Sequence, residues 1–185
     1  MSALKARYGL GVGPLREALS QLVAEHLVVA ISQRGFRVAP MSLAELADIY
    51  DARAHLEAMI LGLAIARGDD AWEAQIVASA HRLAKVLEVK DGEEMLNLWD
   101  ARHQAFHAAI AAGCGSQHLL QARAALFDQA ERYRHLWLQQ TVFSPAALEA
   151  KRQEHATLVE VILQRDSARA CAMMQAHLLS PVSII

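Results

Sequence analysis

The chain has only two cysteines, Cys114 and Cys171, among 185 residues. That is too few for a disulfide framework and reads as two free thiols in a reducing compartment. Only four prolines interrupt it, so long helices can run unbroken. No apolar run approaches the roughly 20 residues a membrane-spanning helix needs, and the first residues lack a signal-peptide pattern. A cytoplasmic protein with no membrane partner is the expectation.

Alanine and leucine are plentiful. Hydrophobic residues make up 54% of the chain, a helical composition long enough to bury a core. The length allows one large domain, or a small one joined to a medium one. Net charge is only −2, but the total hides an asymmetry. Residues 1–40 hold Lys5, Arg7, Arg16, Arg34 and Arg37 against Glu17 and Glu25, a net of +3. The remaining residues hold 13 basic and 18 acidic side chains, a net of −5. A small basic unit on a larger acidic one points to an anionic polymer meeting only the first. No internal repeat or low-complexity segment is evident.

In the basic unit, "SALKARYG" predicts a short helix stopped by Gly9, and "LGVG" a turn. Pro14 suits the first turn of a second helix, with Leu15, Ala18, Leu19, Leu22 and Val23 on one face. "LVVAISQRGFRVAP" is rich in Val, Ile and Phe, with Arg34-Gly35 at a turn, and predicts a β-hairpin. Helix, turn, helix and hairpin is the order of a winged helix-turn-helix over residues 1–40. Its second helix would enter the major groove and its wing would touch the DNA backbone. Arg7, Arg16, Arg34 and Gly35 are the candidate DNA-contacting residues. Arg16 lies in the first turn of the second helix, where its guanidinium can reach a phosphate or a guanine edge. A small structural subdomain is the bland alternative.

From Leu43 onward every segment reads as helix, and six helices over residues 43–180 predict an antiparallel bundle. The first runs to about Arg67, with Leu43, Leu46, Ala47, Tyr50, Ile60 and Ala64 inward. "AWEAQIVASAHRLAKVLEV" is the second and "GEEMLNLWDARHQAFHAAIAA" the third. Ser116 caps a fourth ending near Gln140, and Pro145 opens a fifth. A short sixth, after Arg165-Asp166-Ser167, ends near Leu179.

Nine histidines are unusual for this length. His103 and His107 stand four apart, on one helical face, a spacing that suits two ligands of one metal. It matches the outer residues of the zinc-protease motif H-E-x-x-H. However, Gln104 stands where that motif has Glu, so the general base is missing. His155 and His177 share phase with apolar residues of the fifth and sixth helices. Four inward histidines on three helices point to one divalent metal ion per chain. An ordinary half-buried imidazole is the alternative for any one of them. His26, His55, His81, His118 and His135 read as surface or cap residues. Arg53 shares a stripe with Tyr50, Glu57 and Ile60, and Arg134 is in phase with Phe127, Ala130 and Leu138. Both are candidates for binding a carboxylate effector. An internal Arg53–Glu57 ion pair and a solvated helix edge are the respective alternatives.

Two family resemblances meet these readings. "PLREALSQLVAEHLV" followed by "RGFRVAP" resembles the DNA-binding domain of the GntR family of bacterial repressors. The family places one more helix before "SALKARYG", so the sequence is expected to begin inside that domain. The turn is "GVG" where many relatives have Ser-Arg-Thr, which implies a different operator preference. "DIYDARAHLEAMILGLAIAR", "HQAFHAAIAAGCGSQHLL" and "EHATLVEVILQRDSARACAMMQAHL" resemble the FCD ligand-binding domain of the FadR subfamily. In that domain one Asp and three His hold a metal at the floor of a cavity. Matched singly, the positions are His103 in place of the Asp, then His107, His155 and His177. A site with no carboxylate favours zinc or nickel over calcium or magnesium.

The resemblance further implies a homodimer, a palindromic operator and a small organic acid effector. "GVGPLREALSQLVAE", "ARHQAFH" and "AGCGS" are most similar to a carbon-starvation-induced member, which implies a C4–C6 dicarboxylate such as glutarate. The expectation is a metal-containing, effector-responsive repressor and not an enzyme. The alternatives are a metallohydrolase and a structural metal-binding helical protein.

Overall fold

The computed structural model describes residues 1–140 and 144–180, and the chain divides into two compact units, Met1–Ser42 and Leu43–Ile185. In the first unit, α1 (Ser2–Tyr8) is closed by Gly9 in a left-handed conformation, whose N–H reaches Lys5. The sequence reading put residues 10–13 in a turn. Instead α2 spans Val12–Ala24, so Arg16 sits at the start of its second turn. His26 closes α2 at φ 58°. Its N–H reaches the Val23 carbonyl and the next N–H reaches that of Leu22, a Schellman closure usually given to glycine. Strands β1 (Val28–Ile31) and β2 (Gly35–Val38) pair antiparallel, Val28 opposite Val38 and Ile31 opposite Gly35. Gln33 (φ 58°) and Gly35 (φ 99°) take the tight turn. Leu15 anchors α2, while Ala18, expected inward, is exposed.

The second unit is a helical bundle. It comprises α3 (Leu43–Arg67), α4 (Asp70–Ala84), a helical turn α5 (Gly92–Glu94), a π-helix (Met95–Asp100), α6 (Ala101–Ala112), α7 (Gln117–Gln140), α8 (Pro145–Leu163) and α9 (Ser167–Leu179). Side chains cap several starts. Asp69 accepts from Trp72 N–H, Ser144 from Ala147 and Asp166 from Arg169, each satisfying an orphan donor. Helix α3 is central and packs on α9, α7 and α6, while α4 packs on α6 and α8. Ile60, Leu61, Ile76, Met95, Phe106 and Ile162 form the middle of one large apolar cluster.

Three expectations are corrected. The second helix stops at Ala84 instead of continuing through Val89. The third is not one α-helix, because Met95–Asp100 has the wider π turn before α6 begins. Leu43 and Ala47 are exposed, so the inward stripe of α3 starts at Leu46.

Candidate metal centre and effector cavity

Helix α6 contributes His103 and His107, α8 His155, and α9 His177. Their ligand-capable nitrogens all lie within 4.8 Å of one another. The His107 and His103 Nε2 atoms are 3.1 Å apart, and those of His103 and His177 3.4 Å. His107, His155 and His177 are buried and His103 is half-buried. Trp99, on the π-helix, stacks on His103 with ring centroids 4.7 Å apart. The other five histidines are exposed.

The cluster is electrostatically uncomfortable by itself. Burial, then the neighbouring imidazoles, holds His103 and His107 well below the ordinary histidine range. Burial, with His177 adding to it, lowers His155 to about 3. Neutral imidazoles are metal-ready ligands. Two buried nitrogens, His107 Nδ1 and His155 Nε2, have no hydrogen-bond partner, a costly state for a polar atom in a finished core. His177 differs, since its Nδ1 is 2.8 Å from Glu154 Oε1. Glu154 Oε2 accepts from Lys151 Nζ at 2.8 Å. The His177 hydrogen bond and then Lys151 hold the Glu154 carboxyl at about 2, against the opposing cost of burial.

His103, His107 and His177 form one wall of a cavity of about 380 Å³. Among the described residues four cationic side chains, Arg53, Arg123, Arg134 and Lys151, line it, and no carboxylate does. Three of the four are neutralised from behind the wall. Arg123 Nε lies 2.9 Å from both oxygens of Glu57. Arg134 pairs with buried Asp100 and, at 3.2 Å, with Glu131. Burial lowers the Arg134 guanidinium to about 10. Lys151 has Glu154.

Arg53 is the exception. It is 6% exposed and its Nε has no partner. Among the described residues no carboxylate is within ion-pair distance of it. It rests on the Tyr50 and Phe127 rings, with Cζ 5.3 Å from each centroid, a partial substitute for a counter-ion.

This geometry decides both arginine alternatives. Glu57 pairs with Arg123, so no Arg53–Glu57 bridge forms. Arg134 is buried at 8% exposure and is no solvated edge. Gln104 donates to Asp100 Oδ2 at 2.6 Å. The residue in the position of a zinc-protease base therefore steadies the carboxylate that holds Arg134. Asp100, Arg123, Lys151 and Glu154 were missed as site residues. Asp100 was legible in principle, being one turn ahead of Gln104 on the His103 face.

Comparisons with known proteins fix the lineage. Residues 1–38 match the family "Bacterial regulatory proteins, gntR family", and residues 48–180 match the FCD domain. The chain belongs to the GntR family and carries an FCD domain. This GntR-family chain is 59% identical over 185 residues to the HTH-type transcriptional repressor GlaR of Escherichia coli (strain K12), covering 100% of the chain and 84% of GlaR. It is 36% identical over 184 residues to the HTH-type transcriptional regulator BphR of Paraburkholderia xenovorans (strain LB400), covering 98% and 74%. Escherichia coli McbR/YncC shares its fold, with TM-score 0.75 at 19% identity over 99% of this chain and 84% of that one. A GntR-family regulator from Pseudomonas syringae pv. tomato str. DC3000 matches with TM-score 0.60 at 23% identity over 97% and 72%. The family and these relatives are regulators, which removes the hydrolase alternative.

The first unit is thus the winged helix-turn-helix of a GntR regulator. Arg7, Arg16 and Arg34 are exposed on it, with Arg34 beside the turn. A Cβ built on Gly35 would meet nothing within 4 Å, so its positive φ is what favours glycine there. Among the described residues no helix is long and apolar enough to cross a membrane.

Proposed function

We propose that the protein is a metal-containing transcriptional repressor that responds to a small dicarboxylate. Residues 1–40 bind operator DNA through Arg7, Arg16, Arg34 and the backbone at Gly35. Residues 43–180 hold the metal and the effector and form a homodimer, so the operator is palindromic. GlaR is a transcriptional repressor, and 59% identity along the whole chain supports repression here. The protein works in the cytoplasm, where its operator is.

One observation carries the reading: four imidazoles converge, three of them on the wall of a cavity whose charged lining, among the described residues, is entirely cationic. Ligand nitrogens 2.0–2.1 Å from an ion stand about 3.3 Å apart on a tetrahedron and about 2.9 Å on an octahedron. The separations are 3.1 Å, between these values, and 3.4 Å, close to the tetrahedral one. Of the two orphaned nitrogens, His155 Nε2 would gain the partner it lacks. All-nitrogen ligation favours zinc or nickel. When bound, the ion supplies positive charge and a position for a carboxylate oxygen. Arg53, the cation without an ion-pair partner, takes the other carboxylate of a molecule such as glutarate. A volume of about 380 Å³ is at the small end of ligand pockets.

The test is a thermal-shift screen of mono- and dicarboxylates with and without chelator, beside elemental analysis of protein purified without a metal-affinity tag. Stabilisation by glutarate that chelator removes is expected. A chain that takes up no zinc or nickel, or an acid response indifferent to chelator, overturns the reading. A sedimentation mass of two chains at micromolar concentration is expected for the dimer.

A further inference from the structure

Glu154 is a carboxylate beside the four-histidine cluster. It follows Gln153 on α8 and precedes His155, so helical geometry turns it about 100° away from that ligand. It nevertheless reaches the cluster through another helix. Its Oε1 lies 2.8 Å from His177 Nδ1, and its Oε2 is fixed by Lys151 Nζ at 2.8 Å. Lys151 also lies 3.5 Å from Ser180 Oγ, whose hydroxyl donates to the His177 carbonyl at 2.8 Å. The last turn of α9 is therefore tied to α8 at both the side chain and the backbone of His177. His107 lacks such an anchor, since its Nδ1 finds no partner.

A neutral imidazole has one N–H and one lone pair, and the hydrogen bond at one nitrogen decides which it is. An acceptor-only carboxylate at Nδ1 requires the proton there and leaves the Nε2 lone pair facing the cluster. His103 Nε2 lies 3.4 Å from that lone pair.

We propose that Glu154 is a positioning residue of the metal centre, fixing His177 in the Nδ1–H tautomer and aiming Nε2 at the ion. Lys151 in turn fixes Glu154. The inference rests on the reading of the four histidines as metal ligands. It adds that one of the four is preset before any ion arrives and is the ligand on which affinity most depends. Such outer carboxylates are typically worth 10–100-fold in metal affinity.

The test uses the full chain and zinc alone. Long-range ¹H–¹⁵N spectra of the metal-free parent at pH 7.5 should show His177 as the Nδ1–H tautomer, and the Nε2–H tautomer overturns the inference with no variant needed. Glu154→Ala should release that preference and weaken zinc binding, measured against a competing chelator dye, by 10–100-fold. Glu154→Gln still presents a carbonyl oxygen to Nδ1–H and should keep the tautomer and most of the affinity. A Glu154→Ala protein with parental zinc affinity, or with weaker affinity but an unchanged tautomer, overturns it. Failure of the parent to bind zinc instead sinks the metal reading itself, a result that these outcomes do not resemble.

Discussion

Acidification should unfold the metal-free protein by a route that begins at His155. Its folded-state value of about 3 lies well below the ordinary 6.5. The unfolded chain therefore binds the proton that the folded chain refuses, and stability falls as pH drops. The contribution is whole above pH 6.5 and is lost progressively from there towards about 3. At roughly 1.4 kcal/mol per pH unit, His155 alone costs about 2 kcal/mol between pH 7.5 and 5. His103 and His107 shift in the same direction and steepen the loss. Glu154 acts in a lower window. Its depressed value stabilises the fold above 4.5, and that stability fades only as pH falls towards about 2. Since domains carry only about 5–15 kcal/mol in total, the imidazole term is large. The assay is urea unfolding of chelator-treated protein from pH 7.5 to 5, for the parent and for His155→Leu. The parent should lose at least about 2 kcal/mol more than the variant across that range. Parallel curves, or a parent stability flat down to pH 5, would refute the reasoning.

Other perturbations separate the parts of the site. His155→Ala should lose both the metal and the chelator-sensitive response to glutarate, while His103→Asp should keep the metal; elemental analysis and thermal shift read both. Arg53→Met should abolish glutarate stabilisation at little cost to the fold, because it removes a buried guanidinium that has no carboxylate partner. Arg134→Met strands Asp100, which is 2% exposed, and should cost about 3–5 kcal/mol in urea unfolding. Arg16→Ala in the intact regulator should weaken specific operator binding by about 1–3 kcal/mol with an unchanged melting curve; parental affinity at physiological salt would remove Arg16 from the reading head.

The sequence made the converging histidines legible because burial has a period. His107, His155 and His177 each sit in phase with core residues on their own helices, and phase survives whatever the helices later pack against. Partners do not have that property. The Glu57 that pairs with Arg123 is 66 residues away, and the Glu154 that holds His177 is 23 away. Nothing local to Arg53 distinguishes the nearby Glu57, one helical turn on, from an available counter-ion. Only tertiary packing sends that carboxylate elsewhere. The π-helix at Met95–Asp100 was hidden for another reason. No residue in it marks a wider turn locally, and what sets it apart is tertiary: Met95, Trp99 and Asp100 are buried. The exposed Leu43 and Ala47 show the reverse error. A stripe continues as long as the residues are apolar, whether or not a neighbour covers them.

The charge pattern of the cavity follows from these partnerships and bears on the proposed role of His103 as a metal ligand. Behind the wall, Glu57, Asp100 and Glu154 each compensate one lining cation. Those carboxylates are committed to structure and are not on the cavity surface. On the proposed metal reading, a carboxylate at position 103 would neutralise part of the region left positive. Imidazole there adds no anion, and among the described residues Arg53 has no carboxylate within ion-pair distance. Two separated positive regions in a small enclosed space discriminate by charge number, since a monocarboxylate leaves one of them unmet in a low-dielectric surround. Ligand binding shifts a conformational equilibrium only by its differential affinity for the two states. Arg53 lies on α3, Arg134 on α7 and His103 on α6, so a dianion spanning the cavity would draw three helices towards one arrangement. Thermal shifts for glutarate and for a monocarboxylate of equal length, on parent and Arg53→Met, test this. The parent should prefer the dianion and the variant should not. Equal preference in both would mean that Arg53 does not meet the second carboxylate and that charge number is read elsewhere.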